Sequence, residues 1–180
     1  MQELQNSFTI VSPKISIMQE SIIYGYGETP FGDAFIALKD DAVCFLWFVD
    51  DIAKPSLQEK LYDMFKNINF ISNNKLAQKY LTEIFIENKT PPLYIKATDF
   101  QKKVYNGLLN YPKNTILSYQ DLANFLNMPK AIRAVASALA KNNIAYLIPC
   151  HKVISKSGKL SGYRWNLQRK EKLIAHLLKK

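Results

Sequence analysis

The sequence predicts an α/β (α+β) protein, with an N-terminal α/β domain built on a small antiparallel sheet and a mainly helical C-terminal domain. Three observations predict this fold class. Residues 15–49 are rich in β-branched and aromatic residues, residues 55–85 carry apolar residues at helical spacing, and residues 98–143 hold helical segments separated by turns. The 180-residue chain is 48% apolar, which is enough to bury a core without cross-links.

The first elements are strands within "ISIMQESIIYGYGE" and "FGDAFIALKDDAVCFLWFV", with Asp40-Asp41 as a turn inside the second stretch. Cys44 lies in the last of these strands, where the role of a small buried hydrophobic residue is favoured. Two helices follow, and their apolar faces are core positions that need no cofactor. These faces comprise Leu57, Leu61, Met64 and Phe65 after Pro55, and then Leu76, Tyr80, Ile84 and Phe85.

Pro91-Pro92 marks the predicted domain boundary, which separates residues 1–90 from residues 91–180. The first part has 8 Lys+Arg against 12 Asp+Glu, a net −4, and the second has 16 against 3, a net +13. A basic domain beside a mildly acidic one indicates that the second half binds a polyanion. A lysine-rich surface that serves only solubility stays open as the alternative.

The C-terminal half begins with a predicted helix whose apolar face is Phe100, Val104 and Leu108, with Thr98 as its cap. Ser118 followed by Asp121 is typical of a capping box, which opens the next helix. Asn127-Met128-Pro129 ends that helix, and another is expected to start near Lys130, giving a helix-turn-helix.

The second helix of this pair is rich in small side chains, and Arg133 stands among them as a long exception. Small side chains let a helix approach another surface closely, and a DNA groove is one such surface. An alanine-rich helix packed inside the domain explains the composition equally well. The small residues are Ala131, Ala134, Ala136, Ser137 and Ala138.

Cys150 and His151 are adjacent after the apolar run "IAYLIP". A free thiol has a pKa of roughly 8.5, and a histidine within reach can take its proton. A metal site is not expected, because the only other cysteine and histidine are Cys44 and His176, which offer no zinc-finger spacing. No metal and no cofactor are therefore predicted.

Two cysteines do not make a disulfide framework, so a reducing, cytoplasmic location is expected. No signal peptide is apparent in "MQELQNSFTIVSPKISIMQ", and no apolar stretch reaches the roughly 20 residues of a membrane span. We expect no membrane partner.

Five segments together resemble the O6-alkylguanine-DNA alkyltransferase family, most closely the alkyltransferase module of the bacterial adaptive-response proteins. The segments are "TDFQKKVYNGL", "SYQDLAN", "PKAIRAVASALAKN", "IPCHKVIS" and "LSGYRW", in the family's order and spacing. The resemblance is specific over residues 98–180 and extends weakly back to about residue 20. It implies a ribonuclease H-like first domain and a winged-helix-like second domain.

The resemblance also implies a reaction, in which one alkyl group moves from O6-alkylguanine in duplex DNA to Cys150, once per molecule. His151 would relay the thiol proton through a water, and Tyr119 would donate toward the departing O6. O4-alkylthymine is a further candidate substrate. A monomer is expected, and cooperative binding along DNA stays open.

The other roles implied by the resemblance concern DNA and the substrate pocket. Arg133 would fill the stack after the base is flipped out, as the helix enters the minor groove. Asn142 would brace the turn before Cys150, the ring of Tyr163 would stack near the base, and the backbone N–H of Arg164 would reach O6. The carbonyls of Cys150 and Val153 would read the guanine amino group. The DNA-binding set is Lys130, Ala131, Arg133, Ala134, Ala136 and Lys152, and the pocket set is Asn142, Val153, Ser161, Gly162, Tyr163 and Arg164.

The chain departs from the family pattern at three positions. Lys152 replaces an arginine, Asn166 replaces a glycine, and Leu177 replaces the glutamate that orients the relay histidine. Without that carboxylate we expect slower transfer than in a member with the full relay. The alternatives are an alkyltransferase-like protein that binds lesions without transfer, which intact Cys150 argues against, and a plain helix-turn-helix regulator.

Overall fold

The computed structural model separates the chain into two units, with the division between Lys96 and Ala97. It describes residues 20–49, 54–160 and 162–179. The division falls later than the predicted boundary because the segment after the proline pair joins the sheet of the first unit. The N–H of Val43 donates to the carbonyl of Pro92 at 2.8 Å, and the N–H of Tyr94 donates to the carbonyl of Val43 at 3.0 Å.

The first unit contains a four-stranded sheet in the order β3-β2-β1-β4. The first three strands are antiparallel, as predicted, and the fourth runs parallel to β1. The strands are β1 Ser21–Gly27, β2 Ala34–Lys39, β3 Ala42–Phe48 and β4 Asn69–Ser72. Asp40 and Asp41 have positive φ angles of 50° and 60°, which confirms the tight turn between β2 and β3. Residues 15–19 of the first predicted strand segment lie outside the described residues.

Helices α1 (Lys54–Met64) and α2 (Asn74–Phe85) cover opposite faces of this sheet. Leu57 and Leu61 of α1 are buried, as predicted. The predicted face of α2 is partly wrong, because Ala77 and Leu81 are buried where Leu76 and Tyr80 were expected. The reason is a close approach to β1, in which a Cβ added at Gly25 would lie 2.9 Å from the Cβ of Ala77. The helix turns its smallest residue toward the strand.

The second unit begins with three helices, which are α3 Asp99–Asn110, α4 Tyr119–Phe125 and α5 Ile132–Ala140. Both predicted caps are confirmed, since Thr98 and Ser118 each form a capping box with the third residue of its helix. Val104 and Leu108 are buried in α3, but Phe100 is 36% exposed and does not belong to the core face.

The predicted break between α4 and α5 is confirmed by its backbone hydrogen bonds. The N–H of Asn127 donates to Asn124 at 2.9 Å, and that of Met128 donates to Ala123 at 2.8 Å. Asn127 has a φ of 56°, so these bonds form a Schellman motif with asparagine in the left-handed position.

A short parallel pairing then organises the rest of the second unit. Strand β5 (Leu117–Ser118) pairs with β6 (Val153–Ile154), which follows a 3₁₀ turn at Cys150–Lys152. Since β5 ends immediately before Tyr119 and β6 begins immediately after Lys152, the pairing places the start of α4 beside the cysteine turn. The last helix, α6, spans Leu167–Leu177. None of the helices in the described part of the chain is long and apolar enough to cross a membrane.

Candidate active site

Cys150 opens the 3₁₀ turn, and its surroundings explain the apolar run before it. Ile144 and Ile148 are buried at 3% and 1% exposure, so they anchor the segment that leads into the turn. The N–H of Cys150 donates to the carbonyl of Ile148 at 2.7 Å, and that of Lys152 donates to Pro149 at 3.1 Å. Hydrogen bonds therefore hold the turn at both its first and its last residue, and Cys150 is 9% exposed.

The amide side chain of Asn142 forms hydrogen bonds along the segment from Ile144 to Cys150. Its Nδ2 donates to the carbonyls of Ile144 and Ile148 at 3.2 and 3.1 Å, and to Sγ of Cys150 at 3.3 Å. Its Oδ1 accepts from the N–H of Ile144 at 2.8 Å. A hydrogen bond donated to sulfur favours the thiolate over the thiol. Asn142 thus both shapes the turn and stabilises charge on the sulfur.

A cavity of about 440 Å³ opens onto Cys150. It brings together six of the residues that the sequence singled out, from two helices and two connecting segments. These are Tyr119, Ala136, Asn142, Gly162, Tyr163 and Arg164, and Leu139, Ala140 and Trp165 complete the wall. Ser161 lies outside the described residues. The arrangement provides a nucleophile, a hydroxyl donor and an aromatic wall around one space large enough for a planar group.

Burial raises the pKa of the Cys150 thiol, and several neighbours oppose the rise. The opposing groups are the Asn142 amide and the positive charges of Lys170 and Arg164. Burial also raises the pKa of Tyr119, and the nearby sulfur adds to the effect. Tyr119 therefore keeps its proton at neutral pH and can act as a hydrogen-bond donor in the cavity.

His151 is buried at 3% exposure, and its ring lies parallel to that of Tyr146, with 6.1 Å between the centroids. Burial lowers the pKa of His151 to about 3, and the positive charges of Lys152 and Lys170 contribute to the shift. Among the described residues, Nδ1 has no hydrogen-bond partner, and no hydrogen bond joins the imidazole to the sulfur. The imidazole is neutral at physiological pH and is a weak base.

The predicted DNA-contacting residues of the second helix lie on and around α5. Lys130, Arg133 and Ala134 are exposed, whereas Ala131 and Ala136 are partly buried. Ala136 also lines the cavity. One helix therefore presents an arginine to the outside and forms part of the wall next to Cys150.

Lys152 contradicts the expectation that it contacts DNA. It is 3% exposed, and its ammonium donates to the carbonyls of Tyr111 and Pro112 at 3.5 and 3.4 Å. It also lies 5.7 Å from the centroid of the Tyr111 ring, and burial lowers its pKa to about 8. The two carbonyls and the Tyr111 ring stabilise the buried ammonium of Lys152. The side chain thereby connects the cysteine turn to the segment after α3.

Sequence reasoning missed Lys170, which is buried at 1% exposure. Its Nζ donates to the carbonyl of Val153 at 2.8 Å and lies 5.9 Å from the centroid of the Tyr163 ring. The available signal was its position on α6, since it precedes Leu173 and Ile174 by three and four residues and so continues their apolar stripe. A lysine on a buried stripe is rare without a function or a partner.

Two further side chains hold the pocket segment. The guanidinium of Arg164 donates to the carbonyl of Ala140 and to Oδ1 of Asn143, which fastens this segment to the end of α5. Asn166 has a φ of 74° and caps α6 by accepting from the N–H of Gln168 at 2.9 Å. Asparagine tolerates positive φ better than most residues, so it can stand where the family has glycine.

Comparisons with known proteins agree with this geometry. Residues 99–176 match the family model described as 6-O-methylguanine DNA methyltransferase, DNA binding domain. The chain is 31% identical to the methylated-DNA–protein-cysteine methyltransferase of Saccharomyces cerevisiae, across 87% of this chain and 93% of that protein. It is 36% identical to the bifunctional transcriptional activator/DNA repair enzyme Ada of Escherichia coli, across 86% of this chain but only 45% of Ada.

Solved structures give the same result. The chain is similar to the O6-methylguanine methyltransferase of Mycobacterium tuberculosis, with a TM-score of 0.70 and 28% identity, across 88% of this chain and 93% of that one. A structure of the M. tuberculosis protein in complex with DNA matches with a TM-score of 0.69 and 27% identity, across 87% and 93% of the two chains. The chain belongs to the methylated-DNA–protein-cysteine methyltransferase family.

Proposed function

We propose that this protein repairs DNA by transferring an alkyl group from O6-alkylguanine in duplex DNA to Cys150, once per molecule. The observation that carries the proposal is the cavity in which the Cys150 sulfur, the Asn142 amide and Tyr119 meet. Its other support is membership of a family whose curated members are named for this transfer.

The chemistry is an in-line displacement. The sulfur of Cys150 attacks the alkyl carbon, the S–C bond forms, and the C–O6 bond breaks with its electron pair going to O6. Tyr119 donates a proton toward O6, so guanine leaves as a neutral base. The proton lost by the thiol balances the proton gained by guanine, and His151 serves as its relay. The thioether is stable, so each molecule acts once.

The substrate has to reach the cavity from within a duplex, so the base is flipped out, which costs a few kcal/mol. Arg133 is exposed on α5 and fills the gap in the stack, while the small residues Ala134 and Ala136 let α5 approach the minor groove. Lys130 contacts the backbone phosphates. The net +13 of residues 91–180 supplies affinity that does not depend on sequence.

The finer architecture and setting belong to the same proposal. The first unit is ribonuclease H-like, and the second is winged-helix-like. The protein works as a monomer in the cytoplasm. The pocket residues Asn142, Val153, Gly162 and Tyr163 hold the extruded guanine, with Tyr163 stacking on the base.

A single-turnover assay tests the proposal. The protein is incubated with a duplex that carries one O6-methylguanine, and intact mass and peptide mapping follow the label. We expect one added methyl group on the peptide that contains Cys150, none in Cys150→Ala, and wild-type transfer in the matched Cys44→Ala variant. Tight binding to the lesion with no change of mass would instead identify a lesion-binding protein, and preference for one operator sequence would identify a regulator.

A further inference from the structure

The C-terminal end of α5 is fastened by two side chains from other parts of the second unit. The hydroxyl of Tyr105, on α3, donates to the carbonyl of Ala138 at 3.0 Å. The guanidinium of Arg164, on the pocket segment, donates to the carbonyl of Ala140. The last carbonyls of a helix have no partner within the helix, so they accept hydrogen bonds from outside it. Two side chains that lie far apart in the sequence thus hold the same helix end.

The start of α5 has no comparable contact. Ala131 stands at the N-cap position, and alanine has no side-chain acceptor for the first N–H groups of the helix. Val135 and Leu139 are buried, but apolar burial is non-directional and does not fix the exact placement of a helix. Arg133 is exposed near the start, five residues before Ala138, which is about 7.5 Å along the helix axis. The position of this arginine therefore depends on how the other end of α5 is held.

Tyr105 makes its hydrogen bond beside the cavity. The side chain is 3% exposed, and burial raises its pKa to about 12, with a contribution from the nearby charge on Cys150. The hydroxyl therefore keeps its proton and can donate at neutral pH. The helix that accepts this bond also lines the cavity, through Ala136, Leu139 and Ala140. One hydrogen bond thus joins α3 to the helix that is both cavity wall and exposed surface.

We infer that Tyr105 is a positioning residue for transfer from duplex DNA, because its hydroxyl fixes the place of α5 relative to the cavity. The inference rests on the proposed function, in which Arg133 fills the stack while the flipped base enters the cavity. A misplacement of about 1 Å can lower a rate about a hundredfold. Tyr105 is not among the described residues that line the cavity, so it acts through α5 and not on the substrate.

Tyr105→Phe tests this, since it removes the hydroxyl and keeps the ring. We expect the single-turnover rate constant at saturating methylated duplex to fall roughly threefold to tenfold, the factor that one neutral hydrogen bond contributes. The affinity for unmodified duplex should not change, because it depends on charge. The rate at which iodoacetamide modifies Cys150 without DNA should not change either, because the cysteine turn is left intact.

Tyr80→Phe is the matched control. It also removes a hydroxyl that forms a hydrogen bond, to Asp41 at 3.5 Å, but in the first unit. Transfer, duplex affinity and iodoacetamide reactivity should all stay at their wild-type values. Circular dichroism establishes that both variants are folded, so that a lower rate in Tyr105→Phe reports on the folded protein.

A double-mutant cycle with Arg133→Ala separates positioning from a general structural role. If the hydroxyl acts by placing Arg133, its removal should cost less than about twofold once the arginine side chain is absent, because residues that act together are not additive. A full threefold to tenfold loss in the Arg133→Ala background would show that Tyr105 works independently of that arginine, and it would overturn the inference.

Hydrogen exchange of the free protein tests the contact without DNA. Peptides within residues 134–143 should exchange roughly threefold to tenfold faster in Tyr105→Phe, and peptides of α4 should not change. Unchanged exchange in α5, unchanged transfer, or an equal loss of iodoacetamide reactivity at Cys150 would each overturn the inference. Failure of the wild-type protein to take the methyl group would contradict the proposed function, and exchange would still decide whether Tyr105 fixes α5.

Discussion

The two cysteines of this chain are both buried, and burial raises the pKa of both thiols, yet their hydrogen bonds run in opposite directions. Cys44 in the sheet of the first unit donates its S–H to the carbonyl of Ala37 at 3.4 Å, and burial raises its pKa to about 12. Cys150 in the second unit instead accepts a hydrogen bond from Asn142 at a cavity wall, and the positive charges of Lys170 and Arg164 oppose the rise of its pKa. We therefore expect the direction of the hydrogen bond and the charges around each sulfur, and not burial alone, to set its reactivity.

The local backbone produces this difference. The register of β2 and β3 shifts between Ala37 and Leu38, so Cys44 is the extra residue of a bulge and its sulfur meets a carbonyl. Cys150 starts a 3₁₀ turn, where the chain reverses around the side chain of Asn142. A bulge inside an apolar core leaves no space for a substrate, whereas the turn places the sulfur at a cavity wall.

The largest expected effect is the difference in alkylation rate between the two thiols. In native protein, iodoacetamide should modify Cys150 and leave Cys44 protected until the first unit unfolds. With a typical unfolding free energy of 5 kcal/mol or more, the difference in rate is at least about a thousandfold. Peptide mapping after timed exposure measures both sites in one sample. Equal rates in folded protein would remove the distinction between the two regions.

The next effect concerns the hydrogen bond that distinguishes Cys150. Asn142→Ala removes the hydrogen-bond donor to the sulfur. It also removes the donor that the carbonyls of Ile144 and Ile148 share. A hydrogen bond to a charged group contributes about 1.5–3 kcal/mol, so transfer should fall roughly tenfold to a hundredfold. Single-turnover rates on methylated duplex measure the change.

Asn143→Ala is the matched control, because its side chain contacts Arg164 and not the sulfur. Near-equal losses of transfer rate in the two variants would mean that any change at residues 142–143 impairs the protein. The hydrogen bond from Asn142 to the sulfur would then have no special role. Rescue of Asn142→Ala at higher pH would assign the loss to thiolate formation.

A third effect separates the two units by their response to acid. His151 has a folded pKa of about 3 against 6.5 when unfolded, so the unfolded state binds more protons between these values and stability is lost as the pH falls through this window. Between pH 7 and pH 5, the protonation of His151 in the unfolded state should lower the unfolding free energy of the second unit by about 2 kcal/mol. Residues 1–96 contain no histidine and lack this contribution.

Hydrogen exchange, converted to opening free energies for peptides of each unit, measures this difference. His151→Gln should flatten the response of the second unit over the same range. An unchanged slope in that variant would show that other groups carry the acid sensitivity.

The sequence predicted the β1–β3 sheet, both capping boxes and the break at Asn127, because each depends on residues close together in the chain. It missed β4 and the β5–β6 pair, whose short strands depend on partners far away in the sequence. The resemblance placed Tyr119 and Asn142, which the structure brings to one cavity with Cys150.

The surroundings of Lys152 and Lys170 could not be predicted from the sequence in the same way. Lys152 was predicted to be a DNA-binding residue, but three-dimensional packing gives its ammonium carbonyl partners inside the unit. The spacing of Lys170 to Leu173 and Ile174 places it on the apolar stripe of α6, but its partner, the carbonyl of Val153, is visible only in the structure. Charge placement depends on packing between elements, which local sequence patterns do not specify.

The smallest effect is expected from Leu177→Glu, which introduces the carboxylate that the family resemblance predicts beside His151. Leu177 is partly buried near the end of α6, and the charge of its neighbour His176 already acts on His151. A carboxylate there should raise the pKa of His151 from about 3 and increase the single-turnover rate a few fold. Leu178→Glu, at an exposed position, is the control. A raised His151 pKa, measured by NMR, without a faster transfer would mean that proton relay through His151 does not limit the rate of transfer.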